Sequence, residues 1–384
     1  MQKPGNWGDF TNILCIRPDN LGDVLMTGPA IRALKNGKKD RKITLLTSSS
    51  GSGIARYIPG IDQVIEFDLP WYKHDLRAGA AMINDLTEQL KDHRFDAAVI
   101  FTVYSQSPLP TAMLCYQAGI PRVAACCREN PYGLISDWIP DEEPFYQIKH
   151  EVTRQLDLVK SLGGTVPAEE HLSLDIPPGT QEKILEKLEK LRVNIQDPWL
   201  MVHPGVSEDK RQYPPGLLTA AASMICKELG YRVLITGTAP EKTLAAAMAD
   251  QIDGKAISLA GMLNLEELIG LTALSPLLIA NNTGPVHIAA ALGTPVIVLY
   301  ALTNPQHTPW KVMHRLLPFD VPPEKRSKNI IIRFANSLSF TSPVGMPGPG
   351  DIFRAATLLL SRHRKPEPAR EFFNPPPFSG QPSP

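Results

Sequence analysis

Several of the short β-like runs in this chain are apolar along their whole length, and that feature restricts the fold more than any other. In the first half they are "NILCI" (12–16), "KITLLT" (42–47), "QVIEF" (63–67), "DAAVIF" (96–101) and "RVAA" (122–125). In the second they are "WLMVHPG" (199–205), "RVLITG" (232–237), "AISLAG" (256–261), "PLLIANN" (276–282) and "PVIVLYA" (295–301). A strand with one wet face alternates apolar and polar residues, whereas a strand covered on both faces reads as a continuous apolar run. Helical patterns lie between the runs, among them "GPAIRALKNG", "AGAAMINDLTEQLKDH", "GLLTAAASMICKELG" and "LEELIGLTAL". Such alternation predicts an α/β chain with doubly wound parallel sheets. At 384 residues the chain is long for a single core, so two such units are expected.

The seam falls where "DIPPGTQEKILEKLEKLRVNIQD" sets a Pro-Pro-Gly break before a charged amphipathic helix. The expected division is therefore a first unit over 1–175, a linker and connecting helix over 176–195, and a second unit over 196–345. A C-terminal helix over 346–363 and a Pro-rich, disordered tail over 364–384 follow. Acidic and basic residues balance at 39 each, which argues against a nucleic-acid partner bound through its phosphates. The five cysteines show no zinc spacing and read as incidental thiols of a reducing compartment. No signal peptide or membrane span is legible, so the expected location is cytoplasmic, with peripheral contact to the inner membrane surface left open.

In doubly wound sheets, ligands bind outside the carboxyl ends of the strands. The first such loop, "RPDNLGD", carries Asp23 at a turn-to-helix step, where a carboxylate either starts a helix or acts as a base. In "HPGVSEDKRQYPP" (203–215), Lys210 and Arg211 follow a strand and Gly205, either to neutralise a phosphate chain or as a solvated cluster. In "TGTAPEK" (236–242), Glu241 follows Thr236 and Gly237 and either meets a ribose or starts the next helix. In "NNTGPVHIAAALG", Asn282, Thr283 and Gly284 precede a helix with Gly284 as cap and Pro285 as first residue, a ready anion site. His287 lies one turn in, as a phosphate or sugar contact or a structural histidine. No Gly-rich dinucleotide fingerprint, P-loop or G-x-S-x-G elbow is present.

Taken together, "ILCIRPDNLGDVLMTGPAIRALK", "HPG…KRQYPP" and "IANNTGPVHIAAALGTPVIVLYALTNPQHTPW" resemble glycosyltransferase family 9, the ADP-heptose:lipopolysaccharide heptosyltransferases. The likeness runs from about residue 12 to 310. It implies a GT-B fold, two Rossmann-like domains facing a central cleft, with the acceptor on the first and the nucleotide sugar on the second. It also implies an inverting transfer of a sugar, best guess heptose from ADP-heptose, to a lipopolysaccharide-core or other glycan or glycolipid acceptor. By the resemblance, Asp23 is the general base and Lys210 the catalytic cation at the phosphates, with Arg211 its companion. Donor contacts then fall on Gly205, Thr236, Gly237, Glu241, Asn282, Thr283, Gly284, Pro285 and His287, and acceptor contacts on Asn20 and Gly22. No cofactor and no obligatory metal is expected, since fixed cations and helix N–H groups can receive the leaving diphosphate.

The chain departs from the family pattern at two places. Asn282 stands where the family usually has Asp, and Tyr213 where it usually has Trp. Two alternatives share the expected fold: a sugar-nucleotide 2-epimerase, and a nucleotide-sugar-binding protein that has lost catalysis.

Overall fold

The computed structural model describes residues 7–73, 79–167, 170–252, 254–339 and 344–363. The expected tail over 364–384 lies outside them, as does part of "WYKHDLRAG". Among the described residues the chain forms two six-stranded sheets, parallel throughout. The first holds β1 (Asn12–Arg17), β2 (Lys42–Thr47), β3 (Gln63–Glu66), β4 (Ala97–Ile100), β5 (Val123–Cys127) and β6 (Asp137–Pro140) in the order 3-2-1-4-5-6. The second holds β7 (Trp199–His203), β8 (Arg232–Ile235), β9 (Ala256–Ser258), β10 (Leu278–Asn281), β11 (Val296–Ala301) and β12 (His314–Phe319) in the order 12-11-10-7-8-9. In each, the order reverses beside the first strand of the unit, between β1 and β4 and between β7 and β10. Those two switch points are where a doubly wound sheet opens a crevice.

Every expected run forms a strand, and the sequence reading misses β6 and β12. Both are edge strands, "DWIP" and "HRLLPF", with charged residues and a proline each. An edge needs a ladder on one side alone, so it tolerates the residues that disguise it in sequence.

The helices of the first unit are α1 (Leu21–Asn36), α2 (Ser49–Ala55), α3 (Pro70–Lys73), α4 (Ala80–Asp92), α5 (Leu109–Gln117) and α6 (Glu151–Ser161). Those beyond are α7 (Thr180–Lys190), α8 (Pro215–Glu228), α9 (Lys242–Asp250), α10 (Leu265–Leu274), α11 (Gly284–Leu292), α12 (Ile330–Ser339) and α13 (Pro349–His363). The pattern "GPAIRALKNG" starts too late: α1 begins at Leu21 and carries Pro29 inside it. A proline there removes the hydrogen bond to the Leu25 carbonyl at a cost of about 3 kcal/mol. The helix buries Val24, Leu25, Met26, Ile31 and Leu34, each contributing roughly 1.5–3 kcal/mol, so burial wins.

The connecting helix α7 is not a free strut. It buries Ile184 and Leu188 and packs on α10, where Gly270 leaves room for Thr180. Lys183–Glu266 and Lys187–Glu267 contacts of 3.1 and 2.5 Å line that seam. Helix α13 packs on α8 of the second unit. The two units meet where α1 and α11 start. A Cβ on Gly22 would sit 2.7 Å from Cδ2 of His287, and one on Gly284 would sit 3.2 Å from Cδ2 of Leu21. Two glycines thus let a pair of helix N-termini, one from each unit, come into contact.

Candidate active site

The carboxyl end of β1 ends in a buried cation. Arg17 is fully buried, and its guanidinium serves three carboxylates at once. Its Nε lies 2.9 Å from Asp19 Oδ2, its Nη2 3.5 Å from Asp23 Oδ1 and its Nη1 2.8 Å from Glu151 Oε1. Burial lowers the guanidinium's hold on its proton, but Asp19, Glu151 and Asp23 outweigh that and raise it above its ordinary value. Glu151 opens α6 with its side chain also buried, and Gln155 donates to it. Gln106 donates to Asp19 Oδ1 at 2.6 Å.

Asp23 is the third residue of α1. Its Oδ2 accepts from the backbone N–H of Asn20 at 3.1 Å, which makes it part of the helix cap. Its Oδ1 faces the other way, 3.6 Å from Nε2 of His307 in the second unit. The two readings of this aspartate are therefore compatible, with one oxygen capping and the other at the junction of the units. Asn20 is exposed beside it and accepts from Ser50 at 3.0 Å. Gly22 is buried against the His287 ring.

Across the junction stand the residues of "HPGVSEDKRQYPP". Lys210 and Arg211 lie in a short 3₁₀ turn, Asp209–Arg211. Both cations are held by Glu208, with Lys210 Nζ 2.5 Å from Oε2 and Arg211 Nη2 3.0 Å from Oε1. Arg211 also reaches the Asn282 carbonyl at 3.5 Å. Asn281 fixes this loop to the switch point: its Nδ2 donates to Pro204 O at 2.7 Å, and its Oδ1 accepts from Tyr213 N at 3.1 Å. Tyr213, in the place of the usual tryptophan, is a packing residue. It is fully buried, meets Phe319 edge-on at 5.6 Å and donates its hydroxyl to Pro347 O.

At the β10–α11 turn the cap differs from the sequence reading. Thr283 is the cap and α11 begins at Gly284, with Pro285 second. Extended backbone at Thr283, φ −141°, makes the turn one residue earlier than the glycine suggests. Buried Asn282 Oδ1 and His287 Nδ1 have no protein partner.

Gly205, Gly237 and Glu241 come together in a second group, at the ends of β7 and β8. A Cβ on Gly205 would collide with the Glu241 carboxylate, and one on Gly237 would sit 3.1 Å from its Oε2. Glu241 Oε2 accepts from Thr238 N and Oγ1 at 2.6 and 2.9 Å, so it caps the turn ahead of α9. Thr236 is buried and its hydroxyl lies 2.9 Å from His203 Nδ1. It serves the β7–β8 joint and does not reach into the crevice.

Burial raises the Asp23 carboxyl's affinity for its proton, but His307, Arg17, His287 and Arg211 together outweigh it and hold the group below the ordinary carboxylate range. Asp19 moves the other way: burial pushes it up to about 6 despite Arg17. Burial takes His307 down to about 4 and His287 down to about 3. At neutral pH the junction therefore holds an ionised Asp23 beside two neutral imidazoles, with Arg211 facing it from the second unit. Glu208 is held below its ordinary value: burial would raise it, and Arg211 and Lys210 prevail.

Arg17, Asp19, Glu151, Glu208 and His307 are absent from the sequence reading. A signal was present for the first two: a charged pair at the mouth of a fully apolar strand is costly unless it is used. Glu151 and His307 gave none, because only the fold carries them to residue 17 and residue 23. Glu208 was hidden in "EDKR", which resembles any solvated charge run.

Two parallel six-stranded units meeting at paired switch points, with a carboxylate on one side and two cations on the other, describe a GT-B glycosyltransferase. The model of "Glycosyltransferase family 9 (heptosyltransferase)" matches residues 83–333, and the chain belongs to that family. It is 24% identical over 307 residues to lipooligosaccharide heptosyltransferase 2 of Haemophilus influenzae, covering 78% of this chain and 85% of that one. It is 24% identical over 309 residues to lipopolysaccharide heptosyltransferase 2 of Escherichia coli, covering 77% and 84%. Among solved structures, a family 9 glycosyltransferase of Veillonella parvula superposes with a TM-score of 0.73 at 17% identity, covering 92% of this chain and 98% of that one. The E. coli ADP-heptose lipopolysaccharide heptosyltransferase II superposes with a TM-score of 0.70 at 19% identity, covering 92% and 100%. The expected fold and enzyme class hold, and the epimerase alternative falls away.

Proposed function

We propose that this glycosyltransferase moves a heptose from ADP-heptose to a lipopolysaccharide-core or related glycan acceptor, with inversion at the anomeric carbon. The sugar and nucleotide rest on what the relatives are named for. The mechanism rests on one observation: the Asp23 carboxylate stands at the junction of the two units, its Oδ1 3.6 Å from Nε2 of His307 in the second.

On this reading the acceptor hydroxyl lies against Asp23 Oδ1, with Asn20 on the acceptor side and Gly22 keeping α1 close to α11. The acceptor oxygen forms its bond to the anomeric carbon on the face opposite the diphosphate. The carbon–oxygen bond to the diphosphate breaks, its electron pair leaves with ADP, and the hydroxyl proton passes to Asp23. A carboxylate held below its ordinary range is a weak base. It suffices when it takes the proton late, as the leaving group departs. Lys210 and Arg211 exchange Glu208 for the departing diphosphate, and the N–H groups of Thr283 and Gly284 face the same charge. One well-aimed donor contributes about 3–4 kcal/mol to such a step. Asn282 Oδ1 and His287 Nδ1, buried without protein partners, beside Pro285, are suited to polar groups of the donor. Gly205, Gly237 and Glu241 frame the nucleoside end, with Thr236 behind them in the β7–β8 joint. The division of the chain into an acceptor unit over 1–175 and a donor unit over 196–345 is part of the same proposal.

The test is product analysis. Purified protein is incubated with ADP-heptose and a lipopolysaccharide-core acceptor, and the products are examined by mass spectrometry and NMR. The reading expects free ADP and a heptosylated acceptor whose anomeric configuration is opposite to that of the donor. Retained configuration, or transfer from other nucleotide sugars in preference to ADP-heptose, contradicts it.

A further inference from the structure

An exposed apolar stripe lies on α12. Ile330, Phe334 and Leu338 are 77%, 37% and 42% exposed, and they recur every fourth residue. On a helix that spacing sets them within an arc of about 80°. Ala335 is the residue of α12 that is buried, so the helix lies on the surface rather than in it. The patch continues onto the first unit, where Phe145 packs on Phe334 with ring centroids 5.2 Å apart and Tyr146 is 85% exposed. Isolated apolar residues at the surface are ordinary, whereas a contiguous stripe spanning two units is not.

The charge beside the stripe says what covers it. Lys325, Arg326, Lys328 and Arg333 are exposed along the same segment, against Glu324 alone. Arg128 lies over the Phe145 ring, 5.5 Å from its centroid, but faces Asp141 at 3.8 Å, and Glu142 is exposed at that corner, so the excess positive charge lies on the α12 segment. An apolar helix face bordered by several cations is the pattern of a helix that lies in the plane of an anionic lipid surface. A second copy of this chain would set like charges against each other across the same face.

We propose that α12, with its basic approach and the Phe145–Tyr146 corner, seats this protein on an anionic phospholipid bilayer. The docking itself does not depend on the identity of donor or acceptor.

The test is co-sedimentation of the full chain with vesicles of phosphatidylcholine alone and of phosphatidylcholine mixed with phosphatidylglycerol. Binding is expected to the mixed vesicles and to fade as salt is raised. Two variants separate the contributions: Ile330→Ser/Phe334→Ser/Leu338→Ser, and Lys325→Gln/Lys328→Gln/Arg333→Gln. Each should lower the bound fraction about tenfold, with the turnover of a water-soluble acceptor unchanged. Arg326 is spared because its Nε is bonded to Val321 O. Absence of binding to the anionic vesicles, or equal binding by either variant, overturns the proposal. So does a wild-type dimer that the serine variant converts to monomer, which would make a second copy the occupant.

Discussion

At the scale of single residues, Arg17 is the organising group. It is a buried guanidinium shared by carboxylates with different tasks: Glu151 holds it, Asp19 receives a proton readily, and Asp23 stays ionised. Removing the cation leaves Glu151 buried without its partner, a loss of about 3–5 kcal/mol. Arg17→Met should therefore lower stability by that order in urea unfolding, and Glu151→Gln by less, since the amide keeps a hydrogen bond. With Asp23 as the proposed base, the acid limb of kcat/KM set by that carboxyl should lie below the ordinary carboxylate range. Asp23 was legible because it starts a helix after a strand, in a place where ligands bind. Of its neighbours, Arg17 and Asp19 left a signal at the mouth of an apolar strand, whereas Glu151 and His307 left none, because only the fold brings them to residues 17 and 23.

At the scale of elements, two helix N-termini in contact are the device that closes the site. Gly22 has no side chain because the His287 ring occupies the place a Cβ would take, 2.7 Å away. Gly22→Ala must push α1 and α11 apart or turn a buried ring, a misfit costing about 1–3 kcal/mol. The expected result is a lower thermal midpoint and a raised KM for the donor, since α11 carries the Thr283–Gly284 turn. An unchanged KM would show that this contact does not set the donor site. The sheets themselves were legible to the level of individual strands. Strands covered on both faces announce themselves, whereas β6 and β12, edge strands with a proline and charged residues, do not. The start of α1 was masked by Pro29, whose cost the buried face of the helix overrides.

For the whole molecule, the junction of the units is held by groups that must stay neutral. His150, whose Nε2 meets the Thr308 carbonyl at 2.9 Å, is pushed by burial down to about 4. His307 reaches about 4 and His287 about 3 from the same cause. The unfolded chain binds protons at these sites near pH 6.5, and the folded chain does not until about pH 4. Stability therefore falls as pH drops from about 6.5 to about 4. Asp19 opposes this, because its raised value of about 6 makes the folded state the better proton binder between the ordinary carboxylate pKa and 6. Glu143 and Glu151, raised by burial, side with Asp19, and His203, lowered by burial, sides with the three histidines, so the part of the slope that belongs to the junction is read from a histidine variant. Between pH 7 and pH 5, His307→Gln should lose less of its urea midpoint than the wild type does. A variant with the wild-type pH dependence would mean that His307 is solvated in the folded state.

The proposed transfer depends on Asp23 taking the proton while the groups of the other unit bind the donor. The most direct test compares Asp23→Asn with the wild type in two measurements made together: calorimetric titration with ADP-heptose and single-turnover transfer to the acceptor. The substitution keeps the shape of the side chain and removes its ability to take a proton. Donor affinity should stay within a few-fold of wild type while the transfer rate falls by about 10²–10⁴. Transfer at the wild-type rate, with donor bound as before, would contradict the assignment.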